Sequence, residues 1–548
     1  MTDQTVNADF AFEVSWEVCN KVGGIHTVLE SLASTLSSVL GGNLIFLGPD
    51  LGTSEFLEDN SLMPVWQEAL KSKGIKARIG KWDVPSKPMV ILVDIHQCYD
   101  IKNEVYGMMW NEFGVNSLNS YGDYDDSSMW AYACGKVVKT IVENCMENTK
   151  NIILQAHEWQ SAMSLLFVKK YIPNRVSTVF TTHATTVGRS ICDNGKCLYK
   201  YFAQYNGDGM ARELNVEAKH TSEKAAALFA DCFTTVSHTT DQECANLLGK
   251  PADVVLPNGF NISEIPSHEC LAAKRKGMRA KILAVAGALC GMGFKDSNTI
   301  IISTSGRNDY KPKGFDVYIE ALKRLQNAEE LKKEAIALVE VPCWTMGPRK
   351  DLLSRLESRA KNLGALPNPF ITHDLHNFDY DRIVNTIRSL ELDKSTLFGN
   401  VHVVMIPSYL DGKDGVINEK YYDMLTACDI TAYPSYYEPW GYTPMESASF
   451  GVPTITTNLA GFGCWVEELL GKKPSIDDGV AVIERNDDNY FDASENLKKI
   501  ILDYSNKVQS ERSRIGEKAY KIACNADWKS FVSNYKKAFS FAINKSKR

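Results

Sequence analysis

The sequence contains no long hydrophobic run and no excess of basic charge. No stretch of the 548 residues approaches the roughly 20 consecutive apolar residues that a membrane helix needs. The polar residues 1–8 do not resemble a signal peptide. The formal net charge is −7, so no global field attracts nucleic acid or an anionic membrane surface. We therefore expect a cytoplasmic protein whose partners include neither nucleic acid nor a membrane.

Metal-binding patterns are also missing. The 14 cysteines never occur as CxxC, and the nearest pair, Cys192 and Cys197, has the wrong spacing for a common zinc knuckle. The ten histidines form no HExxH motif. We therefore expect reduced cysteines in a reducing compartment, and no metal.

Three motifs that define large α/β enzyme classes are absent. The first predicted strand is not followed by GxGxxG, which argues against a dinucleotide oxidoreductase. No GxxxxGK[ST] motif occurs, which excludes a P-loop ATPase, and no GxSxG nucleophile elbow occurs. Since no motif calls for a cofactor, we expect none.

What the chain does contain is a long alternation of buried strands and amphipathic helices. Residues 10–15 predict a strand, Lys21-Val-Gly23-Gly24 a turn, and residues 25–40 a helix with leucines at helical spacing. Apolar runs predict the later strands: 43–47, 89–94, 151–155, 178–182, 232–236, 253–256, 299–304, 335–341, 401–406, 430–433 and 452–456. The predicted fold class is α/β, with two Rossmann-like, doubly wound domains and a ligand site in the cleft between them.

Domain boundaries follow from where the alternation pauses. We predict an N-terminal domain over residues 1–285 and a C-terminal domain over 286–525. The last segment, 526–548, is predicted to be a helix that packs back on the N-terminal domain. No Gly/Ser linker or solenoid repeat interrupts the chain.

Residues 433–463 are the most informative stretch. A short strand ends at Pro434, an aromatic loop with Glu438 and Trp440 follows, and Thr443-Pro444-Met445-Glu446 predicts a helix start. In that prediction Thr443 is the N-cap and Glu446 completes a capping box. A loop between a strand and a helix N-terminus is where α/β proteins bind anions.

Two cations lie in a comparable turn further upstream. Arg307 and Lys313 are six residues apart across a strand-to-helix turn, so both can face one diphosphate. Arginine binds phosphate through paired hydrogen bonds and lysine acts as a point charge. Glu438 and Glu446 are natural acceptors for sugar hydroxyls. These features point to a sugar nucleotide.

Several longer runs make the pattern specific, because the chain resembles the eukaryotic-type glycogen synthases, glycosyltransferase family 3. These enzymes are retaining transferases of the GT-B fold. The matching runs are Glu13-Val-Ser-Trp-Glu-Val-Cys-Asn-Lys21-Val-Gly-Gly-Ile, Ala156-His-Glu-Trp159, Phe180-Thr-Thr-His183-Ala-Thr-Thr-Val-Gly-Arg189, Phe233-Thr-Thr-Val-Ser237, Leu256-Pro-Asn-Gly259, Gly306-Arg307 with Lys313-Gly314, Tyr436-Tyr-Glu-Pro-Trp-Gly-Tyr-Thr-Pro444 and Asp527-Trp528-Lys529.

The resemblance implies roles for individual residues. His183, Arg307, Lys313 and Glu438 are the implied catalytic residues: His183 faces the sugar and nucleotide from the first domain, Arg307 and Lys313 neutralise the diphosphate, and Glu438 contacts glucose. The implied substrate-binding residues are Lys21, Gly23 and Gly24 beside the donor phosphates, Arg189 at the sugar and nucleotide, Tyr421 packing on uracil, Trp440 and Gly441 at glucose, Tyr442, Thr443 at the phosphate and Glu446 at the ribose.

The implied reaction transfers glucose from UDP-glucose to the non-reducing end of an α-1,4-glucan with retention. UDP is a competent leaving group, so no strong general acid is required. Retention implies a same-face route or a double displacement; we favour the same-face route, and in a double displacement Glu438 would be the nucleophile. The implied partners are UDP-glucose, glycogen or another α-1,4-glucan, and further copies of the chain in a homo-oligomer. Two alternatives stay open: another retaining GT-B transferase with a different donor or acceptor, and a non-catalytic glucan-binding scaffold.

One departure from the family concerns regulation. The family carries an arginine-dense helix ahead of the tryptophan at 528, which receives glucose-6-phosphate. Here residues 512–526 contain only Arg512, Arg514, Lys518 and Lys521 as cations, and an insertion near residues 347–367 is shorter. We therefore predict weak or absent activation by glucose-6-phosphate.

Overall fold

The computed structural model of the chain describes residues 7–358, 364–394 and 399–547. Within them the chain divides into two compact units. Unit 1 comprises Met1–Asn261 and Ala526–Arg548, and unit 2 comprises Ile262–Asn525. The boundary lies ahead of the one expected at residue 285, because the helix His268–Cys290 packs on elements of unit 2.

The sheet of unit 1 has nine strands in the part of the chain that the structure describes, in the order β3-β4-β5-β2-β1-β6-β7-β8-β9. From β5 to β9 neighbouring strands run parallel, whereas β3 and β4 form an antiparallel edge. The strands are β1 (Phe10–Val14), β2 (Leu44–Pro49), β3 (Phe56–Glu58), β4 (Ala77–Trp82), β5 (Met89–Val93), β6 (Ile152–His157), β7 (Val176–Thr182), β8 (Cys232–Thr235) and β9 (Val254–Val255).

Helices connect these strands. They are α1 (Gly24–Val39), α2 (Pro64–Ser72), α3 (Lys102–Phe113), α4 (Tyr124–Cys145), α5 (Glu158–Tyr171), α6 (Thr186–Asp193), α7 (Gly207–Glu213), α8 (Glu217–Phe229) and α9 (His238–Glu243). The pair α4 and α5 packs under one face of the sheet and contributes buried aromatic and aliphatic side chains to its core. Because both faces of the sheet are buried, the parallel strands appear in the sequence as continuous apolar runs.

The sheet of unit 2 has six parallel strands in the described residues, in the order β14-β11-β10-β15-β16-β17, and a separate antiparallel pair, β12-β13. The strands are β10 (Thr299–Ser305), β11 (Glu334–Glu340), β12 (Thr345–Pro348), β13 (His373–Leu375), β14 (Val401–Ile406), β15 (Ile430–Ala432), β16 (Thr454–Thr457) and β17 (Val480–Ile483). The order reverses at β10, which is the topological switch point where ligands bind in open α/β sheets.

The helices of unit 2 cover both faces of this sheet. They are α10 (His268–Cys290), α11 (Phe315–Gln326), α12 (Lys350–Ser358), α13 (Arg382–Ser389), α14 (Tyr421–Ala427), α15 (Tyr442–Ser449), α16 (Gly461–Leu470), α17 (Tyr490–Asn506) and α18 (Gln509–Asn525). Alternate residues along β10 divide between two cores: Ile300 and Ile302 pack against α11, and Ile301 packs toward α10. The doubly wound α/β prediction is confirmed.

The last helix, α19 (Trp528–Ser546), returns to unit 1 and packs on α1, β7 and β8. Its first residue meets the turn after β9. The Trp528 ring lies so close to Gly259 that a Cβ there would sit 2.6 Å from it, and the Trp528 indole N–H donates to Ser31 Oγ at 2.8 Å. Two motifs that are far apart in sequence therefore form one contact.

No helix in the described part of the chain combines the length and the apolar composition needed to cross a lipid bilayer.

Candidate active site

In unit 2 the turn after β10 is held by glycines. Gly306 has φ +153°, and its N–H donates to the Glu340 carbonyl at the end of β11 (3.2 Å). Gly314 has φ +77° and begins α11, and a Cβ on it would lie 2.1 Å from the Pro434 carbonyl oxygen. Side chains are strained at such angles, so only glycine lets this turn approach the loop after β15 so closely.

Lys313 and Glu438 meet where these two loops touch. Lys313 Nζ donates to Glu438 Oε2 at 2.5 Å, although 125 residues separate them. The contact is held by the backbone, because the amides of Tyr436 and Tyr437 both donate to the Pro312 carbonyl, at 2.9 and 3.1 Å. Both side chains keep some exposure, 20% and 14%, so the pair can face a ligand.

Arg307 lies in the same turn but has a different partner. Its guanidinium pairs with Asp309 at 2.8 Å, and its side chain is 58% exposed. Among the described residues, no ion pair joins Arg307 to the Lys313–Glu438 pair. The predicted convergence of Arg307 and Lys313 on one diphosphate therefore stays a prediction.

The loop from Glu438 to Gly441 rests on the start of α16. The Glu438 carbonyl accepts from the Gly461 amide (3.1 Å) and the Trp440 carbonyl from the Phe462 amide (2.7 Å). The Trp440 side chain is buried and packs near the Phe462 ring. The ring is therefore enclosed beside the start of α16, and its expected contact with the sugar stays a prediction.

The predicted capping box at Thr443 and Glu446 is wrong. The helix α15 begins at Tyr442, and its N-cap is Gly441 at φ +105°, so Thr443 lies inside the first turn. The N-cap residue Gly441 has no side chain, so this position supplies no side-chain cap. Glu446 is buried, and its Oε1 accepts from the Tyr422 hydroxyl at 2.9 Å. The N-terminus of a helix carries a partial positive charge, so the start of α15 near Glu438 is suited to bind an anion.

Tyr421 begins α14 and anchors its hydroxyl under the end of β10. The hydroxyl accepts from Ser305 Oγ at 3.1 Å and lies 3.4 Å from the Tyr433 hydroxyl, which in turn lies 3.0 Å from Ser447 Oγ. Burial of the hydroxyl raises the pKa of Tyr421 well above its ordinary value, while the residue as a whole keeps partial exposure. A ring anchored at its polar end with one part exposed can serve as a stacking platform.

In unit 1, His183 follows β7 and is fixed at both its backbone and its ring. The Glu158 carboxylate accepts from the amides of His183 (2.8 Å) and Ala184 (3.1 Å). Glu158 itself has φ +65°, a strained conformation for a residue with a side chain. The His183 ring contacts His157, which contacts Glu13.

Arg189 lies on α6 near two buried carboxyls. Burial raises the pKa of Glu158 and of Glu223 above the ordinary range for a carboxyl, and Arg189 acts in the opposite direction on both. Glu223 accepts from the Thr182 hydroxyl (2.6 Å) and the Thr186 amide (3.0 Å). These contacts fix the start of α6, so that Arg189 is carried on a rigid turn.

The glycine turn before α1 holds an anion of the protein itself. Glu17 Oε2 accepts from the amides of Gly23 (2.7 Å) and His26 (3.0 Å), so it occupies the N-terminus of α1. Lys21 and Gly24 are exposed. The amide that was expected to face the donor phosphates therefore binds Glu17 in this structure, and the phosphate role of Lys21, Gly23 and Gly24 stays a prediction.

Several contributors were overlooked in the sequence, namely Glu13, Glu17, His157 and Glu158. All four occur in the matching motifs, but no role was given to them. A signal existed for Glu13, which is a carboxylate in the middle of the otherwise apolar strand Phe10–Val14. Partners from distant strands cannot be read from such a pattern. Across residues 7–358, 364–394 and 399–547, no group of three or more His, Cys, Asp or Glu side chains could hold a metal ion.

Unit 2 also contains an arginine cluster, on α10 and α18. The buried Asp429 carboxylate accepts from Arg275 at 2.6 Å and from Arg279 at 2.8 Å, and Arg512 lies 3.9 Å from it. Arg279 also binds Asp296. A cavity of about 290 Å³ adjoins the cluster.

Comparison with known proteins decides the family. The family model described as glycogen synthase matches residues 13–346 and 349–547. The chain belongs to the glycogen synthase family. It is therefore a glycosyltransferase, and the resemblance seen in its motifs is confirmed.

Relatives in this family align along nearly the whole chain. "Glycogen [starch] synthase" of Neurospora crassa is 29% identical, and the alignment covers 98% of this chain and 84% of the Neurospora chain. Isoform 1 from Saccharomyces cerevisiae is also 29% identical, with 98% and 86% covered. The liver enzyme of Rattus norvegicus is 26% identical, with 98% and 83% covered.

Solved structures support the fold. The catalytic domain of starch synthase IV from Arabidopsis thaliana, bound to ADP and acarbose, has a TM-score of 0.59 at 16% identity and covers 98% of this chain and all of its own. Sucrose-phosphate synthase from Thermosynechococcus elongatus has a TM-score of 0.53 at 12% identity, with 96% and 97% covered. At these identities the likeness shows the GT-B fold alone.

Proposed function

We propose that this glycogen synthase family member transfers glucose from UDP-glucose to the non-reducing end of an α-1,4-glucan, with retention at the anomeric carbon. The observation that carries the proposal is the Lys313–Glu438 pair, at 2.5 Å, between the start of α11 and the loop before α15. When the bond between the glucosyl carbon and the diphosphate breaks, the carbon becomes positive and the diphosphate more negative. Two groups of opposite charge can therefore stabilise the two ends. The scaffold alternative predicts loss of such a pair.

The proposed mechanism follows from charge development. As the bond to UDP breaks, negative charge grows on the diphosphate, and Lys313 with the N-terminus of α15 stabilises it. Arg307 is assigned to the same diphosphate, because its guanidinium is exposed in the same turn. The glucosyl carbon becomes oxocarbenium-like, and the Glu438 carboxylate is placed to stabilise it. The acceptor hydroxyl then attacks from the same face, its proton passes to the departing diphosphate oxygen, and the configuration is retained.

The remaining roles are proposals on the same basis. Tyr421 stacks on uracil, Glu446 and Thr443 bind ribose and phosphate, and Trp440, Gly441 and Tyr442 line the glucose. His183 and Arg189 bind sugar and nucleotide, and Lys21 lies near the donor phosphates. We also propose a cytoplasmic enzyme, in keeping with its 14 cysteines, that assembles as a homo-oligomer.

The test is UDP release by the full-length chain with glycogen, using UDP-glucose and ADP-glucose side by side. We expect turnover with UDP-glucose, and a kcat/KM at least tenfold or so higher than with ADP-glucose, because the two bases differ in their hydrogen-bonding edges. Digestion of the product by an α-1,4-specific hydrolase checks the linkage. Lack of turnover with both donors on every glucan would overturn the proposal, and preference for ADP-glucose would overturn the donor assignment.

Regulation by glucose-6-phosphate gives a separate prediction. The donors of Arg275 and Arg279 are engaged by Asp429 and Asp296, so a phosphate would have to displace bonds that already exist. From α18, Arg512 contributes to the cavity, whereas Lys518 donates to the Asp477 carbonyl. We expect glucose-6-phosphate to raise the rate of UDP release by less than about fivefold, which is the lower end of ordinary allosteric coupling. UDP release is measured at subsaturating UDP-glucose with and without the effector, and stronger activation contradicts the prediction.

A further inference from the structure

Three buried side chains of unit 1 form a continuous hydrogen-bonded row that ends at His183. Glu13 Oε2 lies 2.7 Å from His157 Nε2, and His157 Nδ1 lies 3.0 Å from His183 Nε2. Glu13 and His157 are fully enclosed, with exposures of 0% and 1%, and His183 is 8% exposed. Strands β1, β6 and β7 are neighbours in the sheet, which brings the three residues into one row.

The number of protons on this row determines which atom donates in each of its two hydrogen bonds. Each of the two contacts needs one proton between its two atoms. If Glu13, His157 and His183 are together uncharged, they carry three protons, so one remains after both contacts are made. It can sit on His183 Nδ1 or on Glu13 Oε1. Glu13 Oε1 is buried and has no hydrogen-bond partner among the described residues. A proton there would be an unsatisfied buried donor, which is costly.

The uncharged state is the one that burial favours. Among the ion pairs of the described residues, the partner of Glu13 is His157, and no lysine or arginine pairs with it. Burial raises the pKa of Glu13 well above its ordinary value and lowers the pKa of His157 to about 3. The same tautomer of His183 results whether the shared proton sits on Glu13 or on His157, since both arrangements leave His157 Nδ1–H to donate toward His183.

We propose that Glu13 and His157 are positioning residues that hold His183 as its Nδ1–H tautomer, so that the imidazole donates a hydrogen bond to a sugar oxygen of the substrate. The sugar as ligand rests on the proposed function, whereas the tautomer itself does not. His183 then acts as a fixed donor and not as a base, because its Nε2 lone pair accepts from His157. Loss of the third proton would turn Nδ1 into an acceptor and reverse the polarity that the substrate meets.

The surroundings of the row are consistent with a fixed arrangement. Within residues 7–358, 364–394 and 399–547, the titratable groups that face the row are Tyr535 on α19, Arg189 on α6 and the Glu158 carboxyl, which binds the His183 amide. Glu158 holds the backbone of His183 while His157 holds its ring. The ring orientation and the tautomer are therefore set by different residues, and they can be tested separately.

The first test is direct observation of the tautomer. The full chain is labelled with ¹⁵N at its ten histidines, and long-range ¹H–¹⁵N correlation spectra assign the protonated nitrogen of each ring. His183→Asn and His157→Asn spectra identify the two signals. We expect both rings to be protonated at Nδ1 near neutral pH. A wild-type His183 that is protonated at Nε2 overturns the proposal, whether or not any variant folds.

The second test compares Glu13→Gln with Glu13→Leu. Glutamine can donate from its amide nitrogen to His157 Nε2 and leave its carbonyl where the unpartnered Oε1 already lies, so the direction of the row is preserved. We expect kcat/KM within about threefold of wild type for glutamine and a loss of about 10- to 100-fold for leucine, as is usual for groups behind a functional side chain. Equal losses in folded variants would overturn the proposal.

The third test uses pH. Because burial raises the pKa of Glu13, the row is expected to keep its third proton well above the pH at which an ordinary carboxyl ionises; wild-type activity should fall with rising pH as that proton is lost, and Glu13→Gln should lack this descending limb. An unchanged limb in the glutamine variant contradicts the assignment. If the wild type has no turnover with UDP-glucose, the proposed function fails, and the spectrum of His183 still decides the tautomer.

Discussion

Replacing Lys313 by alanine is expected to lower kcat with UDP-glucose by about 10²- to 10³-fold, the usual loss when one preorganised charge or donor is removed from a transition state. Lys313 Nζ lies 2.5 Å from Glu438 and is held there by the Pro312 carbonyl contacts. The ammonium is therefore fixed before substrate arrives, and no reorganisation accompanies the chemical step. Steady-state UDP release with glycogen gives kcat and KM.

A measurement of stability distinguishes this loss of kcat from misfolding. Lys313 and Glu438 keep only 20% and 14% of their side-chain surface exposed, so Lys313→Ala leaves a largely buried carboxylate without its partner. We expect the free energy of unfolding, measured with urea, to fall by about 1–3 kcal/mol while the variant stays folded. Lys311→Ala is the matched control. Its ammonium lies 4.3 Å from the centre of the Tyr436 ring in the same turn, a contact worth about 0.5–1 kcal/mol. Normal kcat in Lys313→Ala, or an equal loss in Lys311→Ala, would refute the assignment of the diphosphate contact.

Replacing Glu438 is the second large effect, and it also distinguishes the two routes. On a same-face route Glu438 stabilises charge, so Glu438→Gln should lose about 10²- to 10³-fold in kcat. If Glu438 were a covalent nucleophile, the loss would approach the ~10⁶-fold seen when a nucleophile is removed. Azide would then restore turnover of Glu438→Ala and form a glucosyl azide of inverted configuration. We expect no such product.

A double-mutant cycle joins the two predictions. Because Lys313 and Glu438 are in contact, the loss in the double variant should be smaller than the product of the single losses. Glu467→Gln, a partly exposed carboxylate on α16, is the control and should leave kcat unchanged. If the loss of kcat in the double variant equalled the product of the two single losses, the two residues would act independently, which their 2.5 Å contact argues against.

Much of the architecture could be predicted because local patterns encode it. Apolar runs such as residues 299–304 and 401–406 correspond to β10 and β14, and the helix predicted at 25–40 is α1, Gly24–Val39. Helix boundaries were less certain. At Thr443 the capping signature is real in the sequence, yet Gly441 at φ +105° starts the helix earlier. Backbone geometry imposed by the loop against α16 prevailed over local propensity.

The candidate site also has one part that could be predicted from the sequence and another that could not. The sequence by itself determined the family, the fold class and the identity of the charged residues, because contiguous motifs carry them. Only the tertiary structure decided that Lys313 pairs with Glu438, that Glu17 occupies the turn at Gly23, that the Trp440 ring is buried, and that Glu13 reaches His183 through His157. The physical reason is that such contacts join residues on different strands and loops, over separations as large as 144 residues. Their geometry depends on sheet order and loop closure, which no local pattern in the sequence contains.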